Sequence, residues 1–258
     1  MSPFTGRTGA VLGSLLGALI LVGCPKAESD PVAAGNVSPC TAIISNSVPP
    51  ADRYPIHVNI TASVFWVGEE ATDENGFIHN RASAWDVDWE SRFGGVDSPD
   101  EGRAGYCPQT FIPKENAFYI ALPYNDVDEA GQRRAEASAI VPWFAATGAA
   151  YAKAGLGEKG SKGLLRSFVE HRWVEVTQGP RRCYGQWEDV GPYLEDDRDY
   201  VFGTAAPRNK EDPNAGIDLS PAMATCLQVD GVGIVSWRFV EVADVPAGPW
   251  SVVVTAAR

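Results

Sequence analysis

The chain has 258 residues, of which 33 are acidic and 21 are basic, and its formal net charge is −12. This balance excludes nucleic acid as a partner, because phosphate binding needs a stripe of basic side chains and the sequence contains none. Neutral glycans and glycans of mixed charge are compatible with it.

Residues 1–23 are predicted to be a targeting segment. One charge, Arg7, precedes an apolar run at residues 10–21. The run has the length of a signal-peptide core and is too short to span a bilayer as a mature helix. It ends in Leu21-Val22-Gly23-Cys24, which resembles the lipobox of bacterial lipoproteins. We therefore expect Cys24 to be lipidated and to anchor the chain in a membrane.

The residues after Cys24 indicate where the chain is sorted and where its domain begins. Pro25, rather than Asp, follows Cys24, and by analogy with Gram-negative sorting this favours an outer-membrane lipoprotein, periplasmic or at the cell surface. Residues 24–54 are rich in Pro, Ala, Ser and Asn without an apolar period, which predicts a tether. Residues 55–258 are then expected to form one domain.

The domain is predicted to be mainly β. Short alternating or β-branched segments are separated by Gly and Pro turns. Residues 127–166 interrupt them, and there an Ala-rich stretch at 136–154 predicts a helical insertion that Pro142 breaks or starts. The predicted strands are residues 57–66, 117–122, 172–176, 183–187, 234–242 and 250–255.

Three consecutive motifs carry a family resemblance. A strand with the sequence CYGQWEDVGP at 183–192 is followed by AGIDLSPA at 215–222 and by GIVSWRFV at 233–240. This order resembles the double-psi β-barrel of rare lipoprotein A, the expansins and the family-45 endoglucanases. The resemblance implies a six-stranded double-psi β-barrel whose groove binds polysaccharide.

Two acids are the predicted catalytic residues. In the resembling families the Asp of Asp-Leu-Ser acts on the glycan, which implies that role for Asp218. Asp189 ends the neighbouring strand, and two carboxylates brought together would raise one pKa enough for proton donation near neutral pH. The alternatives are structural, because Asp218 or Ser220 could cap the helix that starts at Pro221 and Asp189 could fix a turn.

Other residues are predicted to line the same groove. Tyr119 stands where rare lipoprotein A has a His, which weakens a lytic transglycosylase assignment and leaves Tyr119 as a core residue or a sugar contact. The base of the family-45 endoglucanases follows a Trp, which points to Glu69 and Glu70 or to Asp86 without deciding between them. The other groove candidates are Asn125, Asp126, Glu188, Trp85, Trp89, Trp187 and His79.

The cysteines are expected to be oxidised, because four remain besides Cys24 in a compartment where disulfides persist. Three pairings are possible. We predict Cys183 with Cys226, which flank the resembling segment, and Cys40 with Cys107. The alternative is a thiol nucleophile at Cys183, for which no histidine lies in a recognisable pairing motif.

We predict no cofactor and no metal site, because His57, His79 and His171 lack ligand spacing. The expected function is a lipid-anchored cell-envelope protein that binds, and could cleave, peptidoglycan or a β-glucan, with Asp218 as general acid. The alternative is a non-catalytic glycan-binding module like the expansins, or a structural lipoprotein.

Overall fold

Six strands of this protein close into a barrel in the computed structural model. Residues 40–41, 53–73, 75–211 and 213–258 are described, and all of them belong to one unit, Asn36–Arg258. The predicted signal peptide, the lipidation site Cys24 and most of the predicted tether lie outside these residues. The strands are β1 His57–Val64, β2 Arg103–Ala104, β3 Cys107–Pro108, β4 Tyr119–Leu122, β5 Arg172–Gln178, β6 Arg181–Val190, β7 Ile217–Leu219 and β8 Gly233–Phe239.

The barrel order is β1-β7-β4-β6-β5-β8, and β8 closes it by pairing with β1. Two pairs are parallel, β1 with β7 and β4 with β6. The remaining pairs are antiparallel. The small strands β2 and β3 form a separate two-stranded sheet. The predicted class, mainly β with a closed six-stranded barrel, is therefore confirmed.

Alternating side chains fill the barrel, as strand periodicity predicts. Val174 and Val176 of β5 lie opposite Phe239 and Trp237 of β8, and all four side chains are buried. The indole of Trp237 donates a hydrogen bond to the hydroxyl of buried Tyr200 at 2.7 Å, so its one polar group is satisfied. Large aromatic groups therefore occupy the interior.

The described part of the chain contains five short α-helices besides the barrel, and two of them fall in the predicted insertion. These two lie on either side of Pro142, because proline lacks the N–H that a continuous helix would need. None of the helices in the described residues is both long enough and apolar enough to cross a bilayer. The helices are α1 Trp89–Phe93, α2 Ala137–Ile140, α3 Phe144–Lys153, α4 Arg198–Val201 and α5 Pro221–Leu227.

The predicted strand at 250–255 is wrong, and a different segment supplies the sixth strand. Trp250 lies in a short 3-10 helix, Pro249–Ser251, where its indole packs against other core rings. The sixth strand is β7, whose three residues include Asp218. Because β7 has only three residues and a helix follows it directly, its alternation of apolar and polar side chains does not stand out in the sequence.

Both predicted disulfides are present. Cys183 of β6 bonds Cys226 of α5, and Cys40 bonds Cys107 of β3. The first bridge ties α5 to the barrel, and the second ties the segment before the domain to the two-stranded sheet. Because Cys183 is oxidised, the alternative of a free thiol nucleophile at that position does not apply to this structure.

Candidate functional site

Four residues form one row across four neighbouring strands. Ser63 of β1 is paired with Asp218 of β7, Asp218 with Ala121 of β4, and Ala121 with Asp189 of β6. Directly paired residues share a face of the sheet. The Cα atoms of Asp189 and Asp218 are two strand spacings apart, roughly 10 Å. The two acidic segments that the sequence places 29 positions apart therefore meet at one site.

An extra residue in β6 brings Asp189 into this row. Ile120 is paired with Trp187, whereas the next residue, Ala121, is paired with Asp189, so the register shifts by one. Glu188 is the residue left over, as in a β-bulge. Without the bulge, Glu188 would stand opposite Ala121. Bulges are common beside active sites because they redirect a side chain in this way.

The carboxylate of Asp189 is held by backbone donors. The N–H groups of Ala84 and Val190 both donate to Oδ1, each at 2.8 Å. Asp189 is only 7% exposed, and burial raises its pKa to about 7, although the two N–H donors oppose this and the charge of Asp218 adds to it. The group therefore exchanges its proton near neutral pH while one of its oxygens stays fixed.

Asp218 is not the cap of the following helix. Ser220 is the N-cap of α5, because its hydroxyl accepts a hydrogen bond from the N–H of Met223 at 3.2 Å. Asp218 instead bonds the hydroxyl of Ser63, which lies 2.5 Å from Oδ1. Burial raises the pKa of Asp218 to about 7, the hydrogen bond from Ser63 lowers it, and the charge of Glu69 raises it. The helix thus leaves this carboxyl available for chemistry.

Glu69 is a third carboxylate at the same site. The side-chain amides of Asn75 and Asn80 donate to Oε1 and Oε2 of Glu69 at 3.2 and 2.8 Å. Burial raises the pKa of Glu69, and the two amides lower it. The sequence could not decide between Glu69 with Glu70 and Asp86 as candidates. The structure places Glu69 here, whereas Asp86 lines a separate cavity.

These three acids line an open cavity of about 200 Å³. Among the described residues, the lining of this cavity contains no Lys, Arg or His that would neutralise the acids. Apolar groups such as Phe65, Ile78 and Pro192 form part of the lining. Tyr193 is 43% exposed at the same cavity and offers a ring for apolar contact. The site combines proton-exchanging groups with apolar surface in one recess.

The other predicted groove residues lie elsewhere. Tyr119 is buried in the core, where its hydroxyl donates to Asp97 and accepts from the N–H of Val67. Asn125 accepts a hydrogen bond from the indole of Trp85. Asp126 is fully buried and accepts hydrogen bonds from Arg133, Ser167 and the N–H of Phe168. None of these residues lines the cavity of Asp189 and Asp218.

The tryptophans predicted to stack on sugars are core residues in this structure. Trp85, Trp89 and Trp187 are at most 5% exposed, and Trp85 packs edge-on against Trp187. None of them offers a free face at the surface. Polar neighbours in the sequence suggested exposure, but Trp187 lies within β6 and Trp89 begins α1, and both rings are buried. The exposed aromatic at the cavity is Tyr193, which the sequence analysis did not select.

Glu188 and His79 do not join the cavity either. The side chain of Glu188 contacts His171 and lines the separate cavity that Asp86 also lines. His79 is exposed and is not among the residues around Asp189 and Asp218. Comparisons with known protein families, with curated proteins and with solved structures found no match.

Proposed function

We propose that this chain is a lipid-anchored cell-envelope protein whose barrel is of the double-psi type and whose cavity binds and cleaves polysaccharide. Two parallel strand pairs within a closed six-stranded barrel support the fold assignment. The lipobox-like sequence ending at Cys24 supports the anchor. The observation that carries the enzymatic part is the row Asp218-Ala121-Asp189, in which two carboxyls with pKa near 7 face one cavity.

The hydrogen bonds of the two acids indicate a different catalytic role for each. Oδ1 of Asp189 accepts two N–H groups, which cannot reverse direction, so this carboxyl is arranged to carry negative charge. The partner of Asp218 is a hydroxyl, which can donate to a carboxylate or accept from a carboxylic acid. Asp218 is therefore the general acid that protonates the leaving oxygen, and Asp189 stabilises the developing positive charge or acts as base.

The small side chain between the acids leaves space for a bond to be cut. Ala121 is the only residue between Asp218 and Asp189 in the row, and it adds a single methyl group. A span of roughly 10 Å between the two Cα atoms allows two carboxyls to flank one glycosidic bond. Glu69 faces the same cavity and can bind a sugar hydroxyl or orient water.

The cavity favours a neutral sugar over a strongly anionic one. Three carboxyls line it without a cation among the lining residues, so a polyanion would be repelled. Apolar groups and the ring of Tyr193 suit the apolar face of a sugar. The substrate class proposed is peptidoglycan or a neutral β-glucan.

A non-catalytic glycan-binding role is the second candidate. It is favoured by Tyr119, which stands where the resembling lytic enzyme has a His and which is buried away from the cavity. A protein of this kind would use the same cavity to hold a glycan without cutting it.

The experiment compares the full chain, solubilised in detergent, with its Asp218→Asn form on peptidoglycan and on β-glucan. Soluble fragments are measured after incubation, and pull-down on the insoluble glycan measures binding. Asp230→Asn is the matched control, because Asp230 is exposed and lies outside the cavity. Fragment release that Asp218→Asn abolishes and Asp230→Asn retains supports cleavage. Equal binding in all three forms without release contradicts cleavage and favours the second candidate.

A further inference from the structure

A second cavity lies behind β6 and shares no residue with the first. Its volume is about 40 Å³, and its lining includes the carboxylates of Asp86, Glu115, Glu170 and Glu188 together with the imidazole of His171. A space of this size holds an ion or a small number of waters. The proposed function makes no use of it.

His171 is fixed from two directions. Its backbone has φ of 65°, and its N–H donates to the carbonyl of Trp187 at 2.9 Å. Its Nδ1 lies 2.9 and 3.1 Å from the two carboxylate oxygens of Glu188. With the proton on Nδ1 donated to Glu188, the lone pair of Nε2 is available for a ligand on the other side of the ring. A carboxylate that holds the far nitrogen of a histidine is the usual outer contact of a metal-bound imidazole.

The carboxylate on that other side of the ring stands at a distance that suits a shared ion. Oε1 of Glu170 is 3.6 Å from Nε2 of His171, too far for a hydrogen bond. Two ligand atoms each about 2.1 Å from a zinc ion, at near-tetrahedral angles, are separated by about 3.5 Å. Among the described residues, no donor hydrogen-bonds the carboxylate of Glu170.

The other acids of the cavity have cations of their own. Asp86 is paired with Arg92 at 3.2 Å, and Glu115 with Arg258 at 2.9 Å. Glu170 and Glu188, in contrast, share the single imidazole of His171. A third guanidinium, that of Arg166, donates to the carbonyls of Gly157 and Lys159. With His171 neutral, the four acids and three guanidinium groups of the lining leave one net negative charge, which favours a bound cation.

We propose that Oε1 of Glu170 and Nε2 of His171 bind a divalent cation of the zinc class in this cavity. Glu188 orients the imidazole, and water completes the coordination. An imidazole ligand selects zinc over calcium, which prefers oxygen donors alone. Sequence spacing predicted no metal site here, because Glu170 and His171 are adjacent and the orienting Glu188 comes from the next strand. Through the hydrogen bond from His171 to Glu188, the site would connect the segment before β5 to β6.

The test is calorimetric titration of the full chain, first stripped with EDTA, with Zn²⁺, Mn²⁺ and Ca²⁺ in separate runs. One equivalent of Zn²⁺ is expected to bind, more tightly than either of the other two. Glu170→Gln and His171→Gln should each weaken Zn²⁺ binding by about tenfold or more. His79→Gln is the control, because His79 is an exposed imidazole outside the cavity, and it should leave the stoichiometry and affinity of this site unchanged.

A further variant guards against misfolding. If His171→Gln lowers the melting temperature of the metal-free chain, Glu188→Gln replaces it, since it keeps both ligands and should weaken Zn²⁺ by about tenfold through the outer contact alone. The proposal is overturned if Zn²⁺ shows no saturable binding, if Glu170→Gln binds it as tightly as the parent, or if Ca²⁺ binds more tightly than Zn²⁺. None of these readouts depends on glycan cleavage.

Discussion

The two sides of β6 use acidic residues in different ways. In front, Asp189, Asp218 and Glu69 receive hydrogen bonds from N–H groups, a hydroxyl and amides, with no cation lining their cavity. Behind, Arg92 and Arg258 neutralise two of the acids. Neutral donors favour the ionised form of a carboxyl through hydrogen bonds alone, whereas a guanidinium adds a full positive charge to that effect. The acids at the front are therefore held by neutral donors alone, whereas guanidinium groups offset part of the negative charge at the back.

The largest expected effect is on catalysis at the front. Asp218→Asn keeps the shape of the side chain but removes its acidic proton, so the rate of glycan cleavage should fall by about 10²- to 10⁴-fold. Asp86→Asn changes an acid of the back cavity and should leave the rate within a small factor of the parent. Release of reducing ends measures both. Equal losses of cleavage rate in the two variants would show that the two cavities do not differ in their role in cleavage.

A smaller effect is expected at Gly191, beside the front row. Its φ is 157°, and a methyl group there would lie 3.3 Å from Oδ2 of Asp218. Gly191→Ala should lower the free energy of unfolding by about 1–3 kcal/mol through backbone strain. It should also lower cleavage by displacing Asp218. Chemical denaturation measures the first effect. Gly131→Ala has the same sign of φ with open space around it, so it should strain the chain without changing activity.

The pH dependence of stability tests the raised pKa of Asp218 directly. Its pKa is about 7 in the folded chain, against an ordinary value of 3.8. Between these values the unfolded chain has lost the proton and the folded chain keeps it, so stability falls as pH rises through this window. Relative to the parent, the melting temperature of Asp218→Asn should therefore increase from pH 4 to pH 7 and then stay level. A constant difference would show that the pKa is ordinary.

The smallest effect is expected at Ser63. Its hydroxyl stabilises the ionised form of Asp218 and so lowers its pKa. Removing one hydrogen bond of about 1 kcal/mol in Ser63→Ala should move the alkaline limb of the activity profile up by roughly 0.7 pH unit. Rates measured from pH 5 to pH 9 give this shift. A downward shift of this limb would mean that the hydroxyl accepts a hydrogen bond from protonated Asp218 instead of donating one.

Local signals predicted the strands, whereas the closed barrel was implied by the family resemblance and the disulfides were chosen among three possible pairings. Alternating segments and Gly or Pro turns marked five of the six strands, and β7 was missed because it has only three residues. Asp189 and Asp218 were predicted as a pair, and both lie in the row across Ala121. The position of Glu69, by contrast, depends on how the loop after β1 folds back, which no local pattern encodes.

Burial of aromatic rings was the hardest property to predict. Trp85 and Trp187 have polar neighbours in sequence, yet they pack against each other in the core. Their environment is set by residues far away along the chain, such as Asn125, which accepts the indole proton of Trp85. Tyr193, the ring that does reach the cavity, follows a Gly-Pro turn whose direction only the folded chain reveals.

The strand β6, with its one extra residue, contributes an acid to each of the two cavities. Consecutive acids, Glu188 and Asp189, contribute to different cavities, and the bulge decides which of the two stands opposite Ala121. The acids that line the two cavities are thus separated by a single peptide bond. Deleting Asp189 would place Glu188 opposite Ala121 and remove from His171 the carboxylate that holds it. The count of residues in this strand is therefore as important as their identity.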